Sequence, residues 1–253
     1  MSTFDRNSNI RYAAAGARAE AGVYDEGLRA YMLGVYNYMA IGLAITGAMA
    51  LATFYMAVEQ TAGGMALTAF GQAIYMSPLK WVVMLAPLAA VFFLSFKIQS
   101  MSASAAQMTF WVYAAIMGVS LSSIFLVFTG ESITRVFFIT AASFGALSLY
   151  GYTTKKDLSG WGSFLFMGLI GIIIASLVNM FIGSSAIQFA VSVIGVLVFA
   201  GLTAYDTQQI KEMYFEGDSS EVAAKKSIMG ALRLYLDFIN LFIMLLQLFG
   251  NRD

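Results

Sequence analysis

Long apolar runs separated by short polar breaks occupy residues of about 32–57, 79–98, 106–128, 134–152, 162–182, 187–210 and 229–249. Each is near or above the roughly 20 residues that cross a bilayer's hydrocarbon as a helix. In lipid every backbone N–H and C=O must be satisfied internally, and a helix does this within one segment. Continuous apolar runs of this length also lack the alternation of barrel strands. The pattern therefore predicts an all-α polytopic membrane protein, with seven transmembrane helices over residues 32–250. The seventh run is mixed, because Arg233, Asp237, Asn240 and Gln247 interrupt it. Such a segment is costly against lipid, so it is expected to lie buried among the other six or to be re-entrant.

The breaks predict the connections. Residues 1–31 carry Arg6, Arg11, Arg18 and Arg29 and hold no short apolar run with a cleavage site. They read as a cytoplasmic arm without a removable signal peptide, either unstructured or a weak surface helix over about 11–29. Residues 58–78, with Gly63, Gly64, Gly71 and Pro78, read as an outside loop, and the charged stretch 211–228 as a solvated inside loop. Pro87 is expected to kink the second span. Gly42, Gly47, Gly118, Gly168, Gly171, Gly195 and Gly201 are expected to allow close helix contacts, and Asn37 and Asn179 to bond to neighbouring helices. Trp81 and Trp161 suit interface anchors.

Composition agrees and removes other classes. Hydrophobic types make up 60% of the 253 residues and charged ones 11%, against about 25% charged in soluble domains. Fourteen basic residues balance 14 acidic ones without a basic tract, which excludes a nucleic-acid partner. The chain has no cysteine and no histidine. Disulfides, thiolate chemistry and Cys-type zinc sites are excluded, no cofactor is expected, and any sensing of near-neutral pH falls to carboxylates. With the N-terminus inside, that side collects Arg6, Arg11, Arg18, Arg29, Lys97, Lys155, Lys156, Lys211, Lys225, Lys226 and Arg233. The outside keeps Lys80, Arg135 and Arg252. This asymmetry predicts an N-inside, C-outside chain.

Two acidic residues lie well within the spans. Asp206 is about one turn from the inside end of span six, and Asp237 about two turns into span seven, which starts from the same side. Antiparallel neighbours would put them at similar depth. Intramembrane carboxylates default to a functional hypothesis. A close pair can hold one proton between them, present hard oxygens to Ca²⁺, or activate water for peptide hydrolysis as an aspartyl protease does. A purely structural role also stands: Arg233 could form an i,i+4 pair with Asp237, Lys97 could neutralise Asp206, and Tyr205, Gln208 and Asn240 could complete a polar network.

The segments GlyLeuThrAlaTyrAspThrGlnGlnIleLys (201–211), LeuTyrLeuAspPheIleAsnLeuPhe (234–242), PhePheLeuSerPheLysIleGlnSerMetSer (92–102) and the stretch 113–122 resemble the Bax inhibitor-1 family. The chain looks like a bacterial member. The resemblance implies a seven-helix bundle with the last helix central, surrounded by the first six, in a bacterial cytoplasmic (inner) membrane. It implies a pH-sensitive calcium leak channel whose sensor is an aspartate pair matching Asp206 and Asp237, with Ca²⁺ the transported or transiently bound ion. A basic residue at the inner end of the second helix, here Lys97, would pair with the sixth-helix aspartate and take part in gating. Relatives commonly carry arginine there, and lysine keeps the charge but loses the bidentate fork. Eukaryotic members are linked to cell-death suppression, but the resemblance names no protein partner here. A structural or regulatory interaction protein, a cation/proton exchanger and an intramembrane aspartyl protease are the alternatives.

Overall fold

The computed structural model describes residues 3–61 and 64–251, with side chains from residue 26 onward. Seven helices in it are long and apolar enough to cross a membrane. They are α1 (Thr3–Ala57), α2 (Leu79–Lys97), α3 (Ala103–Leu121), α4 (Gly130–Thr153), α5 (Ser159–Ile182), α6 (Ser185–Glu212) and α7 (Ser220–Phe249). Side-chain hydroxyls start four of them: Ser102, Thr129, Ser184 and Ser219 each accept a backbone N–H three residues on, satisfying donors that a helix start leaves free.

Three connections differ from expectation. The arm before the first span joins it as one continuous helix from Thr3, while residues 1–2 and the side chains before Glu26, including Arg6, Arg11 and Arg18, lie outside the described residues. The 58–78 connection contains a short hairpin, β1 (Val58–Thr61) paired antiparallel with β2 (Gly64–Leu67), followed by helical turns over Ala69–Met76. Most of the inside loop is helix. The last helix begins at Ser220 because Ser219 caps it, Glu221 pairs with Lys225 at 3.7 Å, and Lys226 holds Asp218 at 2.5 Å. Charge across that stretch thus decorates a solvated helical extension.

The last helix is central, not re-entrant. It packs on α1, α3, α4 and α6, while α2 packs on α3 and α5 on α6. The expected ring of six is therefore an inner ring of four with two outriders. Two-thirds of the most apolar stretch of α7 is buried (67%), against 11% for α5. Polar residues in α7 are sheltered by helices, and the uninterrupted apolar surface of α5 is left to lipid. At mid-bundle the Tyr235 hydroxyl meets Thr46 Oγ1 at 2.6 Å, and Thr46 donates to the Ala114 carbonyl at 2.9 Å. The rings of Phe110 and Tyr113 stand edge-on to Tyr235.

Five of the expected contact glycines face a neighbouring helix, whereas Gly47 and Gly171 face open space. Gly118 lies against the Thr46 carbonyl and Gly151 against the Ala204 carbonyl, close enough that a Cβ at either position would collide with backbone. Asn179 does not bridge helices; its Oδ1 accepts the Ser184 N–H at 2.9 Å, serving a free donor in the α5–α6 turn. Asn37 is exposed on α1 and makes no interhelical bond among the described residues.

Between α4 and α5, the exposed Asp157 carboxylate accepts the Ser159 N–H at 2.8 Å, which holds its carboxyl below the usual carboxylate range. A lowered value means the bond contributes at neutral pH and is lost as acid protonates Asp157. Asp157→Ala should therefore lower the melting temperature slightly at neutral pH. The difference from wild type should vanish in strong acid, as read from melting curves across pH in detergent.

Candidate functional site: a buried carboxyl pair

Register between α6 and α7 is set by small residues. Ile210 sits against Gly230 near the α6–α7 connection, and Met244 against Gly195 toward the other end. This antiparallel alignment brings positions 206 and 237 within about one turn of each other. Asp237 is buried (5% exposed) and Asp206 half-buried. Their carboxyl groups lie within hydrogen-bonding reach of one another. As carboxylates neither could donate, and Asp237 Oδ2 is buried without a hydrogen-bond partner. A single proton between them would satisfy both conditions, because a protonated carboxyl donates where a carboxylate can only accept.

The pair lines a cleft of about 670 Å³ between α5, α6 and α7. Gly162 and Phe166 form its α5 wall, and Tyr205, Arg233 and Asn240 join the aspartates. Five of the seven residues singled out from the sequence thus share one cavity. Asn240 is only partly engaged, its Nδ2 donating to the Leu236 carbonyl of its own helix at 2.8 Å.

Two expected interactions take a different form. Arg233 makes no ion pair with Asp237 among the described residues, where the ion pairs are Lys225–Glu221 and Lys226–Asp218. Its side chain is exposed and lines the same cleft as both aspartates. A long cationic side chain keeps its head in the wet mouth while a short carboxyl on the same helix stays buried. Lys97 is exposed at the end of α2, forms no ion pair among the described residues and does not line the cleft. The expected Lys97–Asp206 latch is absent from this arrangement because α2 packs on α3 rather than on α6.

Gln208 belongs to a different construction. Its amide is taken up by the α4–α5 turn: Nε2 donates to the Lys156 carbonyl and Oε1 accepts the Leu158 N–H, both at 2.8 Å. It clamps the α4–α5 turn against α6. Sequence reasoning also missed the hydroxyl chain Tyr36–Ser148–Thr207, with links of 2.7 and 2.9 Å joining α1, α4 and α6. Isolated serines and threonines carry no mark of their partners, so no sequence signal could have joined these three.

No group of three or more acidic side chains gathers among the described residues. Ca²⁺ takes about six to eight oxygens, so the pair with Asn240 and water suits brief contact with a passing ion better than permanent retention. Together the central charged helix and its carboxyl pair define a polytopic α-helical membrane protein with an intramembrane acid site.

The family model described as "Inhibitor of apoptosis-promoting Bax1" matches residues 28–253, and the chain belongs to this Bax inhibitor-1 family. An uncharacterized protein of Rickettsia prowazekii is 52% identical over 229 residues, covering 90% of this chain and 92% of the relative. Inner membrane protein YbhL of Escherichia coli K12 is 50% identical over 228 residues, 89% of this chain and 93% of that protein. A Caulobacter vibrioides protein is 45% identical over 252 residues, 98% and 99% of the two chains.

Proposed function

We propose that the protein is a pH-sensitive calcium leak channel of a bacterial inner membrane, with its N-terminus cytoplasmic and its C-terminus outside. The observation that carries this reading is the contact between the Asp206 and Asp237 carboxyls in a cleft at the inner half of the bundle. A shared proton holds α6 and α7 together. Its loss leaves two like charges in contact, which repel and draw in a divalent cation. Similarity to an inner membrane protein over most of both chains supports the location, and the lysines and arginines at the inner ends of the helices support the orientation.

The test is Ca²⁺ entry into proteoliposomes across about pH 5–8, the range in which a carboxyl pair must titrate to serve as a sensor. Entry should require the protein, be passive down the gradient, and rise as protons leave. No entry at any pH by folded, correctly inserted protein would overturn the proposal.

The cation that tunes the pair is Arg233. Arg233→Gln removes the cation that lines the cleft with both aspartates, and since an opposite charge nearby favours the ionised carboxyl, the flux–pH curve should move to higher pH. Lys97→Gln should leave the midpoint in place if Lys97 stays outside the cleft in the gating cycle. A Lys97→Gln shift as large as that of Arg233→Gln would instead show that α2 closes onto Asp206 during gating, as the family resemblance implies.

A further inference from the structure

Away from the aspartates, a groove of about 620 Å³ runs between α1 and α4. The two helices both pack on α7 but scarcely on each other, and the gap is floored by Phe144 and Phe238, whose rings meet at 5.5 Å. Its lining is almost wholly apolar along its length. At one end it is not: Arg29 lines the mouth and forms no ion pair among the described residues. Beside it Tyr152 carries a second cation, since Lys211 Nζ donates to the Tyr152 carbonyl at 2.9 Å and lies 5.8 Å from its ring centre.

The dimensions match one leaflet. On α1 the groove extends from Arg29 to Ala40, and on the antiparallel α4 from Tyr152 to Ala141. Each is a rise of roughly 16 Å, about half of the ~30 Å hydrocarbon core. An acyl chain lying there would put its headgroup at the cationic end. Basic pockets between transmembrane helices hold anionic headgroups by this complementarity.

We propose that this groove binds one anionic phospholipid of the leaflet on the Arg29 side, with an acyl chain against Phe144 and Phe238 and the phosphate at Arg29. The lipid would fill the gap that α1 and α4 leave between them over Phe144 and Phe238. The Tyr36–Ser148 hydrogen bond, which spans the groove partway along, would set how deep the chain lies.

The test is native mass spectrometry of the full chain in mild detergent, with equal amounts of dioleoyl phosphatidylglycerol and dioleoyl phosphatidylethanolamine. Phosphatidylglycerol should be retained about fivefold over phosphatidylethanolamine, the factor expected for one interfacial cation. Arg29→Gln should bring the ratio close to one, while Arg135→Gln at the other end of α4 should leave it unchanged. Gly145→Trp should displace the lipid, because a side chain at Gly145 enters open space in the groove. Ala141→Phe fills the same groove and replaces it if the tryptophan variant does not fold. Equal retention of the two lipids, a phosphatidylglycerol preference that survives Arg29→Gln or groove filling, or a dimer in place of the lipid adduct would overturn the proposal.

Discussion

Asp237→Asn should hold Ca²⁺ entry at the wild type's acid-side rate from about pH 5 to 8. Asparagine matches aspartate in shape, and its Nδ2 can donate permanently to Asp206, reproducing the protonated pair without the proton. The charge repulsion that would part α6 and α7 at high pH is then gone. Entry at about pH 8 should fall by at least about tenfold, the population change that one proton brings per pH unit. The fold should persist, because Asp237 is buried in contact with a partner that asparagine still serves. Asp206→Asn should act in the same direction, and the double variant should also lack a pH response. A wild-type pH response in both folded single variants would sink the mechanism. Cleavage of a transmembrane substrate that disappears in the same variants would move the reading to a protease.

Gly151→Ala should be among the most damaging small substitutions in the bundle. A methyl group there would stand 2.2 Å from the Ala204 carbonyl oxygen and 3.0 Å from its Cα. Both obstacles are backbone, so no side chain can rotate away and α4 must back off from α6. Overpacking of this kind costs about 3 kcal/mol, or a fall of roughly 6–12 °C in melting temperature for a chain of this size. Gly145→Ala, on the same helix, adds its methyl group to open space and should leave stability within about 1 kcal/mol. Equal melting temperatures for the two variants would show that the α4–α6 crossing is not so tight. Because α6 carries Asp206, Gly151→Ala should also blunt the pH response of whatever folded protein remains.

Much of the architecture was legible because lipid constrains it so strongly. Runs of some twenty apolar residues have only one economical structure in hydrocarbon, so the seven spans could be read directly. Charge within the seventh run marked it as interior, and α7 is indeed the helix the others shelter. The charged stretch 211–228 misled for a related reason. Polarity reports solvent, not backbone conformation, and capping by Ser219 with the Glu221–Lys225 pair extends the helix well into water. Gly151 was overlooked because a glycine beside the end of a span looks the same whether it faces lipid or another backbone.

For the candidate site, Asp206 and Asp237 stood out because an intramembrane carboxyl is rare and costly. Arg233 and Asn240 could be named with Asp237 from helical spacing, and Tyr205 as the immediate neighbour of Asp206. Gln208 is two residues from Asp206 and so looks toward the α4–α5 turn, and Lys97 shares the predicted depth but sits on an outrider helix.

The sequence by itself determined that the chain is an all-α membrane bundle with seven spans, the last of them ill-suited to lipid, and two acidic side chains within those spans. Those properties follow from transfer free energies, which each segment carries alone. Only the tertiary structure decided that the last helix is central rather than re-entrant, that the two aspartates line one cleft with Arg233 rather than Lys97, and that α1 and α4 leave a groove ending at Arg29. These depend on which helices pack together and in what register, which close contacts between small residues and opposing helices decide, and hydropathy is blind to them.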